Sequence, residues 1–194
     1  MRFSRLIPAA LLALGATAGA QTPPCEAMVT GGATPPAIWS HTAQGSTETT
    51  RLRVADRYPI CVYATPVARD LDITLRFQPR GGRMDRAGGL AVRVRDVNTF
   101  YVLRANAAES NVSLYHVTEG RRVIFASREQ VPITLRAWHT LRLRLESDRF
   151  LVWFDGAPVL DARDGRISEA GRVALWSISD SDTLFGNPRV EVLR

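Results

Sequence analysis

Short runs in which apolar and polar residues alternate recur along most of this chain, and no other feature restricts its fold as much. In residues 70–78, Leu71, Ile73, Leu75 and Phe77 occupy every second position. Because successive side chains of a β-strand point to opposite faces, this spacing predicts a strand with one apolar face. Runs of the same kind predict strands over 90–95, 100–105, 112–117, 122–126, 138–146, 150–154, 172–178 and 189–193.

Turn-forming residues separate these runs. Gly81-Gly82, Asp96-Val97-Asn98, Glu119-Gly120 and Asp155-Gly156 each stand between two predicted strands, where such residues favour reversal of the chain. Many short strands at this spacing predict an all-β fold made of two antiparallel sheets, each with one polar and one apolar face. A closed barrel is the alternative, because it would show the same alternation.

The N-terminal segment has the order of a secretory signal. Arg2 and Arg5 precede an apolar run over residues 6–18, and Ala18-Gly19-Ala20 follows. A charged start, an apolar middle and a small-residue cleavage site predict a cleavable signal peptide at 1–20, cut near Ala20. The run is too short to span a bilayer, and a buried core helix is the alternative. We therefore expect a secreted or periplasmic protein.

The mature chain is expected to form one domain. Residues 21–36 are rich in Pro, Gly, Thr and Ala and predict an extended lead-in, whereas 37–194 shows no internal boundary. This length suits a single domain with a sizeable core. No later stretch approaches transmembrane length, so we expect no transmembrane segment and a soluble monomer.

The two cysteines, Cys25 and Cys61, predict a disulfide. An even count fits an oxidising compartment, and closing the loop between them would stabilise the fold by about 3–4 kcal/mol. Two unpaired buried thiols are the alternative. Two distant cysteines and three histidines do not make a zinc-site pattern.

The positive charge comes entirely from arginine, since the chain contains no lysine and its net charge is +6. For an exported chain of mixed charge without a recognised motif, we expect no nucleic-acid partner. Several arginines alternate with apolar residues on predicted strands, which makes them outward residues that keep the sheet surface soluble. A groove for an acidic polysaccharide is the alternative. These arginines are Arg76, Arg93, Arg95, Arg142 and Arg144.

Two neighbouring segments carry a resemblance to a known family. Residues 87–94 (AGGLAVRV) and 98–106 (NTFYVLRAN) resemble the concanavalin A-like lectin/glucanase domains, most closely the laminin-G-like, 3-keto-disaccharide hydrolase-type domains of secreted bacterial proteins. The resemblance covers 70–194, and 37–69 less clearly, and implies a jelly-roll sandwich associated with glycans. Further segments in the same order are 114–117, 120–122, 138–141, 154–156, 170–176 and 185–187.

Parts of this resemblance have a folding explanation. Asp155-Gly156 forms a hairpin turn, and Trp138 is expected to fill the core. Relatives often carry Phe-Asp-Asn where this chain has Phe185-Gly186-Asn187, so a carboxylate that can join a calcium site is missing. We therefore predict no cofactor; a structural calcium held by Asp180 and Asp182 is the alternative.

No catalytic constellation is apparent. A retaining glycosidase needs two carboxylates close together, and the Glu-x-Asp-x-Glu array of lichenase-like glucanases on this fold is absent. His41, His116 and His139 are widely separated, and no Gly-x-Ser-x-Gly motif occurs. Asp180-Ser181-Asp182 is expected to lie in a solvated turn. We predict neither catalytic nor metal-binding residues.

One predicted hairpin carries groups that suit sugars. Arg104 and Asn106, two positions apart, share a face of strand 101–106, and the next strand would add an amide and an aromatic ring. The predicted function is non-catalytic binding of an extracellular or cell-envelope glycan. A glycoside-cleaving enzyme and an envelope structural or protein-interaction module are the alternatives. The predicted ligand-binding residues are Arg104, Asn106, Asn111, Tyr115 and Trp176, with Trp153 as a second candidate for stacking.

Overall fold

The structure, a computed structural model, describes residues 25–29, 38–42, 45–49, 58–64 and 66–194. The predicted signal peptide at 1–20 lies outside these residues. Among them there is no helix of the length and hydropathy needed to cross a membrane. The strands are β1 (Glu26–Val29), β2 (Ile38–Thr42), β3 (Gly45–Thr49), β4 (Pro59–Val62), β5 (Leu71–Gly81), β6 (Ala87–Asp96), β7 (Thr99–Asn106), β8 (Asn111–Thr118), β9 (Arg121–Arg128), β10 (His139–Glu146), β11 (Arg149–Phe154), β12 (Ala157–Arg163), β13 (Arg172–Trp176), β14 (Asp182–Phe185) and β15 (Arg189–Val192).

These strands form two antiparallel sheets, which confirms the predicted all-β sandwich. The seven-stranded sheet has the order β1-β4-β13-β6-β7-β8-β9. The eight-stranded sheet has the order β12-β11-β10-β5-β14-β3-β2, and β15 also pairs with β5. Strand β5 is long enough to pair with β15 along its first half and with β14 along its second.

The main core lies between the sheets and follows the predicted alternation. On β10, Leu141, Leu143 and Leu145 are buried while Arg142 and Arg144 point away from the core. Each buried leucine of this kind contributes about 1.5–3 kcal/mol. The predicted apolar face of β5 is buried in the same core, through Leu71, Ile73, Leu75 and Phe77.

The seven-stranded sheet differs from the prediction, because both of its faces bury apolar side chains. Its outer face, directed away from the eight-stranded sheet, carries a second buried apolar cluster that includes Ile60, Val102 and Trp176. Every described member of this cluster lies on a strand of this sheet or within two residues of one. Strands buried on both faces lose the polar-apolar alternation. The expectation of one polar face therefore holds for the eight-stranded sheet only.

The prediction that Arg93 points outward is wrong. Its side chain is 1% exposed and lies in the interior, because a bulge in β6 shifts the register between Val92 and Asp96. At the bulge, Arg93 itself has φ of 49°. A bulge inserts an extra residue into one strand, so residues beyond it that would have faced outward face inward instead.

The buried guanidinium of Arg93 links segments that are distant in sequence. Its Nε donates to the backbone carbonyl of Arg69 at 2.8 Å, and its Nη1 donates to that of Ile167 at 2.6 Å. Its Nη2 donates to the backbone carbonyl of Ser147 at 2.5 Å and pairs with the Asp70 carboxylate at 3.3 Å.

The predicted disulfide between Cys25 and Cys61 is confirmed, with the two Cα atoms 5.2 Å apart. Cys61 belongs to β4, whereas Cys25 directly precedes β1, the strand that pairs with β4 at one edge of the sheet. Strand β1 lies inside the segment 21–36 that we expected to be a lead-in. The seven-stranded sheet therefore includes residues that precede the predicted domain start at 37.

Candidate functional site

The outer face of the seven-stranded sheet carries all five predicted ligand-binding residues. Trp176 on β13 lies beside Gly89 on β6, and Gly89 beside Arg104 on β7. Because neighbouring strands are about 4.8 Å apart, the backbones of Trp176 and Arg104 are separated by about 10 Å. Asn111 pairs with Asn106 on the same face. Each of the five, including Tyr115 on β8, is at most 7% exposed.

A polar network joins the β7–β8 turn to the end of β9. Arg104 Nη2 donates to the Glu109 carboxylate and, at 3.0 Å, to Asn111 Oδ1. Asn111 Nδ2 donates to Glu109 Oε2 at 3.0 Å and to Glu129 Oε2 at 3.3 Å. We call these four residues the carboxylate network. Its solvent side is formed by Glu129, which is exposed, and by Glu109, whose side chain is 49% exposed.

The network holds Glu109 in its ionised form. Partial burial acts to raise the pKa of the Glu109 carboxyl, but the Arg104 guanidinium and the Asn111 amide outweigh burial and leave the pKa below its usual range. An opposite charge and hydrogen bonds to the charged form both have this effect. At neutral pH the network therefore presents a carboxylate acceptor beside guanidinium and amide donors.

Glu109 and Glu129 were not among the residues predicted from the sequence. Glu109 is in the turn of a hairpin that was predicted, two residues before Asn111, so its proximity could have been inferred. Glu129 approaches Asn111 through the pairing of β8 with β9, in which a bulge lies between Leu114 and Tyr115. A break in register of this kind has no clear signal in a single sequence.

Aromatic rings and a second guanidinium adjoin the network. The Arg122 guanidinium lies 4.6 Å from the centre of the Tyr115 ring, 4.9 Å from Tyr58 and 5.8 Å from Trp176. Arg104 lies 5.3 Å from the Tyr115 ring as well. A cation over an aromatic face contributes about 0.5–2 kcal/mol, so Tyr115 helps to position both guanidinium groups.

Three donors on this face have no hydrogen-bond partner among the described residues. They are Arg104 Nε, Arg122 Nη1 and the indole Nε1 of Trp176, and all three atoms are buried. An unsatisfied buried polar group costs about 1–3 kcal/mol. Such groups on a single face are suited to meet the acceptors of a ligand.

Asn106 is on this face but its amide is already occupied. Its Oδ1 accepts the backbone N–H of Ala108 at 3.0 Å and of Arg86 at 3.3 Å, and its Nδ2 donates to Asp85 at 2.9 Å. Asn106 therefore anchors the neighbouring loop and turn. Trp153, the other stacking candidate, belongs to the eight-stranded sheet, where Arg142 lies 4.7 Å from its ring.

The aspartates considered for calcium have other partners. Asp180 lies in the predicted turn, where its carboxylate accepts backbone N–H groups of Arg83, Met84 and Asp85 at 2.7–3.1 Å. Asp182 begins β14, a strand not predicted from the sequence, and pairs with Arg80 at 2.6 Å. No cluster of three or more metal-ligating side chains occurs in the described part of the chain.

We expect Asp180→Asn to lower the free energy of unfolding by about 1–2 kcal/mol at neutral pH. Burial acts to raise the pKa of the Asp180 carboxyl, but the backbone N–H groups of Arg83, Met84 and Asp85 hold the pKa below its ordinary value of 3.8. The stabilisation is therefore present above pH 3.8 and is lost as the pH falls through the lower folded pKa. Urea unfolding at pH 7 and pH 3 measures the difference.

Asp148→Asn is the matched control for Asp180→Asn. Asp148 pairs with Arg163, and both side chains are more than two-fifths exposed, so the loss should stay below about 1 kcal/mol. An equal loss of unfolding free energy in both variants would contradict the stabilising role of the ionised Asp180 carboxylate. A loss in the Asp180 variant that does not diminish in acid would contradict it as well.

The described histidine side chains occupy structural positions. His139 Nδ1 lies 2.7 Å from an oxygen of Asp155, and its Nε2 is 3.0 Å from the backbone of Thr134. His116 faces the core, where burial lowers its pKa. His41 belongs to β2, whose side chains are outside the described part of the structure.

Solved structures of the same architecture include a carbohydrate-binding module, a Man-bound lumenal domain and a galectin. The carbohydrate-binding module CBM66 from Bacillus subtilis superposes with a TM-score of 0.70 at 22% identity, covering 80% of this chain and 91% of that one. The exoplasmic/lumenal domain of VIP36, in its Ca²⁺/Man-bound form, gives 0.62 at 12% identity, with coverages of 86% and 83%. The galectin LEC-6 of Caenorhabditis elegans gives 0.53 at 11%, with coverages of 80% and 96%.

These likenesses define the fold as a lectin-type β-sandwich, in agreement with the expected concanavalin A-like architecture. At such low identities they show the fold and not the activity. No family model matches the sequence, and no curated protein matches it.

Proposed function

We propose that this chain is an exported, non-catalytic carbohydrate-binding protein whose ligand binds at the exposed end of the carboxylate network, on the outer side of the seven-stranded sheet. The observation that carries the proposal is the group of three unpartnered buried donors beside the carboxylate network: Arg104 Nε, Arg122 Nη1 and Trp176 Nε1. The CBM66, VIP36 and galectin structures support it at the level of the fold. The disulfide and the predicted N-terminal signal sequence support export.

The chemistry of this face favours a neutral sugar. A sugar hydroxyl both donates and accepts hydrogen bonds, and the network offers both kinds of partner within one cluster. Glu109 and Glu129 accept, whereas Arg104 and the Asn111 amide donate. Two carboxylates at the exposed end would repel an anionic sugar. The ligand contacts would therefore be Arg104, Asn111 and the two glutamates, with Tyr115 and Trp176 beneath them.

Hydrolysis is the competing function, because Glu109 and Glu129 both contact one nitrogen of Asn111. Their separation is compatible with the carboxylate pairs of glycosidases, which are roughly 5–10 Å apart. A glycosidase also needs a carboxyl that is protonated at working pH. The lowered pKa of Glu109 excludes it as that acid, and Glu129 is exposed, without the burial that keeps a catalytic carboxyl protonated. For these two reasons we favour binding.

Arg104→Gln is expected to weaken glycan binding at least tenfold, about 1.4 kcal/mol. The substitution removes the charge and the fork of donors that meets Glu109 and Asn111. Glu129→Gln is the second test, since Glu129 is exposed and the variant should fold normally. A glycan array with neutral and acidic oligosaccharides identifies the ligand, and titration calorimetry measures the affinities.

Arg121→Gln, on the same strand as Arg122 but exposed, is the control and should bind as the wild type does. Absence of binding to every neutral glycan, or unchanged affinity in both test variants, would refute the proposal. Release of reducing sugar from a bound oligosaccharide, abolished by Glu109→Gln, would favour the hydrolase instead.

A further inference from the structure

A groove of about 480 Å³ lies on the outer face of the eight-stranded sheet, on the opposite side of the sandwich from the carboxylate network. Its volume is within the range of small-ligand sites, about 300–1,000 Å³. We call it the Trp138 groove. It is lined by Thr74, Arg76, Trp138, Thr140, Asn187 and Arg189, together with Gly186.

The strand register places these side chains together. Thr74 and Arg76 alternate on β5 with buried core residues and so point outward. Thr140 on β10 pairs with Arg76, and Arg189 on β15 pairs with Thr74. The backbone N–H of Gly186 donates to the carbonyl of Arg76 at 2.8 Å, which fixes the segment that carries Asn187.

Trp138 does not fill the core, contrary to the expectation from the sequence. It is 43% exposed, because it comes directly before the buried His139 and therefore has the outward orientation of its neighbours on β10. The Arg76 guanidinium lies 5.0 Å from the centre of its ring. Stacking on an aromatic face leaves the edge donors of a guanidinium free to bind an anion.

The groove has a charge that is not compensated. Its lining contains two arginines and no carboxylate, and neither Arg76 nor Arg189 has an ion pair or hydrogen-bonded side-chain partner among the described residues. The other arginines on the strands of this sheet are all paired. Those pairs are Arg80–Asp182, Arg142–Asp72, Arg144–Glu146, Arg149–Asp161 and Arg163–Asp148.

We propose that the Trp138 groove is a second glycan site and binds uronate residues of an acidic polysaccharide. A guanidinium binds a carboxylate through paired hydrogen bonds, the ring of Trp138 offers an apolar surface for a sugar ring, and Thr74, Thr140 and Asn187 suit its hydroxyls. The inference does not rest on the function proposed for the other sheet, since no residue is shared.

The neighbouring surface limits where the acidic sugar binds. An adjoining groove of about 420 Å³ shares Thr74 and Arg189 but also contains Asp72, Arg142 and Glu191. There Asp72 is paired with Arg142, and Glu191 adds a further negative charge. The uronate carboxylate is therefore expected at Arg76 and Arg189, and the next sugars along the chain over this more neutral surface.

The test uses tetragalacturonate and its methyl ester, which share a backbone and differ in carboxylate charge. Titration calorimetry at low salt should detect the acid and not the ester, with affinity falling as salt is added because the contact is ionic. Arg76→Gln and Arg189→Gln should each weaken binding at least tenfold. Trp138→Ala should weaken it as well, because the stacking surface and the support for Arg76 are lost.

Arg121→Gln removes the same charge from an exposed site on the other sheet and should leave the affinity unchanged. Equal binding of acid and ester, or equal losses in Arg76→Gln and Arg121→Gln, would overturn the proposal. A single-stranded oligonucleotide of equal charge that bound as tightly would also overturn it, in favour of an unspecific anion surface. Failure of the neutral-glycan experiments leaves this test unaffected, because probe and variants differ.

Discussion

Arg93→Ala is expected to lower the free energy of unfolding by about 3–5 kcal/mol, the largest effect that we predict for one substitution. The guanidinium satisfies three backbone carbonyls and pairs with Asp70 inside the sandwich. Alanine would leave these acceptors without a partner and open a cavity, and both effects are costly in a packed interior. Urea unfolding followed by tryptophan fluorescence measures the loss.

Arg95→Ala is the matched control, because Arg95 is exposed two residues further along β6 and donates to a single carbonyl, that of Ala170. Its loss should be about 1 kcal/mol or less. Arg93→Lys separates charge from geometry: a lysine keeps the charge but cannot reach all four acceptors, so it should recover part of the loss. Equal stability of the alanine variants at 93 and 95 would refute the role of the buried guanidinium.

The second large effect is expected from Cys25→Ala combined with Cys61→Ala, which should reduce the free energy of unfolding by about 3–4 kcal/mol. The two cysteines are 36 positions apart, so the bridge restricts a long loop of the unfolded chain. Cys61 is fully buried, and alanine avoids placing a hydroxyl there. Urea unfolding of the double variant beside the oxidised wild type gives the value.

Reduction of the wild type provides the control for this pair of substitutions. If loop closure is the cause, the reduced wild type and the double alanine variant should have similar stabilities, both lower than that of the oxidised protein. A reduced protein as stable as the oxidised one would show that the bridge contributes little. Mass mapping of non-reduced peptides should detect Cys25 linked to Cys61.

The sequence predicted most of the architecture, because the alternation is local and the main core follows it. The inward leucines of β10 and the apolar face of β5 needed no knowledge of the partner strands. Arg93 was assigned to the wrong side because the bulge in β6 breaks the alternation, and a bulge depends on the neighbouring strands. Strand β14 was missed because Asp182–Phe185 is short and half polar.

The candidate site was predicted in part. Placing Arg104 and Asn106 on one face needed only the period of a strand, whereas the approach of Glu129 depends on how β9 pairs with β8. The occupied amide of Asn106 is also non-local, since its partners are Arg86, Ala108 and Asp85. Trp138 was a different error: within the predicted strand 138–146 it alternates in phase with the outward Arg142 and Arg144, so the alternation itself places it outside the core.

The position of the disulfide also bears on self-association. Strand β1 has only four residues and forms one edge of the seven-stranded sheet, and the bridge holds it against β4, whose residues are all buried. If β1 separated, β4 would become an apolar strand with unpaired backbone groups, the kind of edge that adds strands from other molecules. At the opposite edge, β9 carries Arg121, Arg122 and Arg128, whose charges oppose such pairing. The bridge therefore keeps the backbone groups of β4 paired within its own sheet, and we expect its reduction to favour strand addition between molecules.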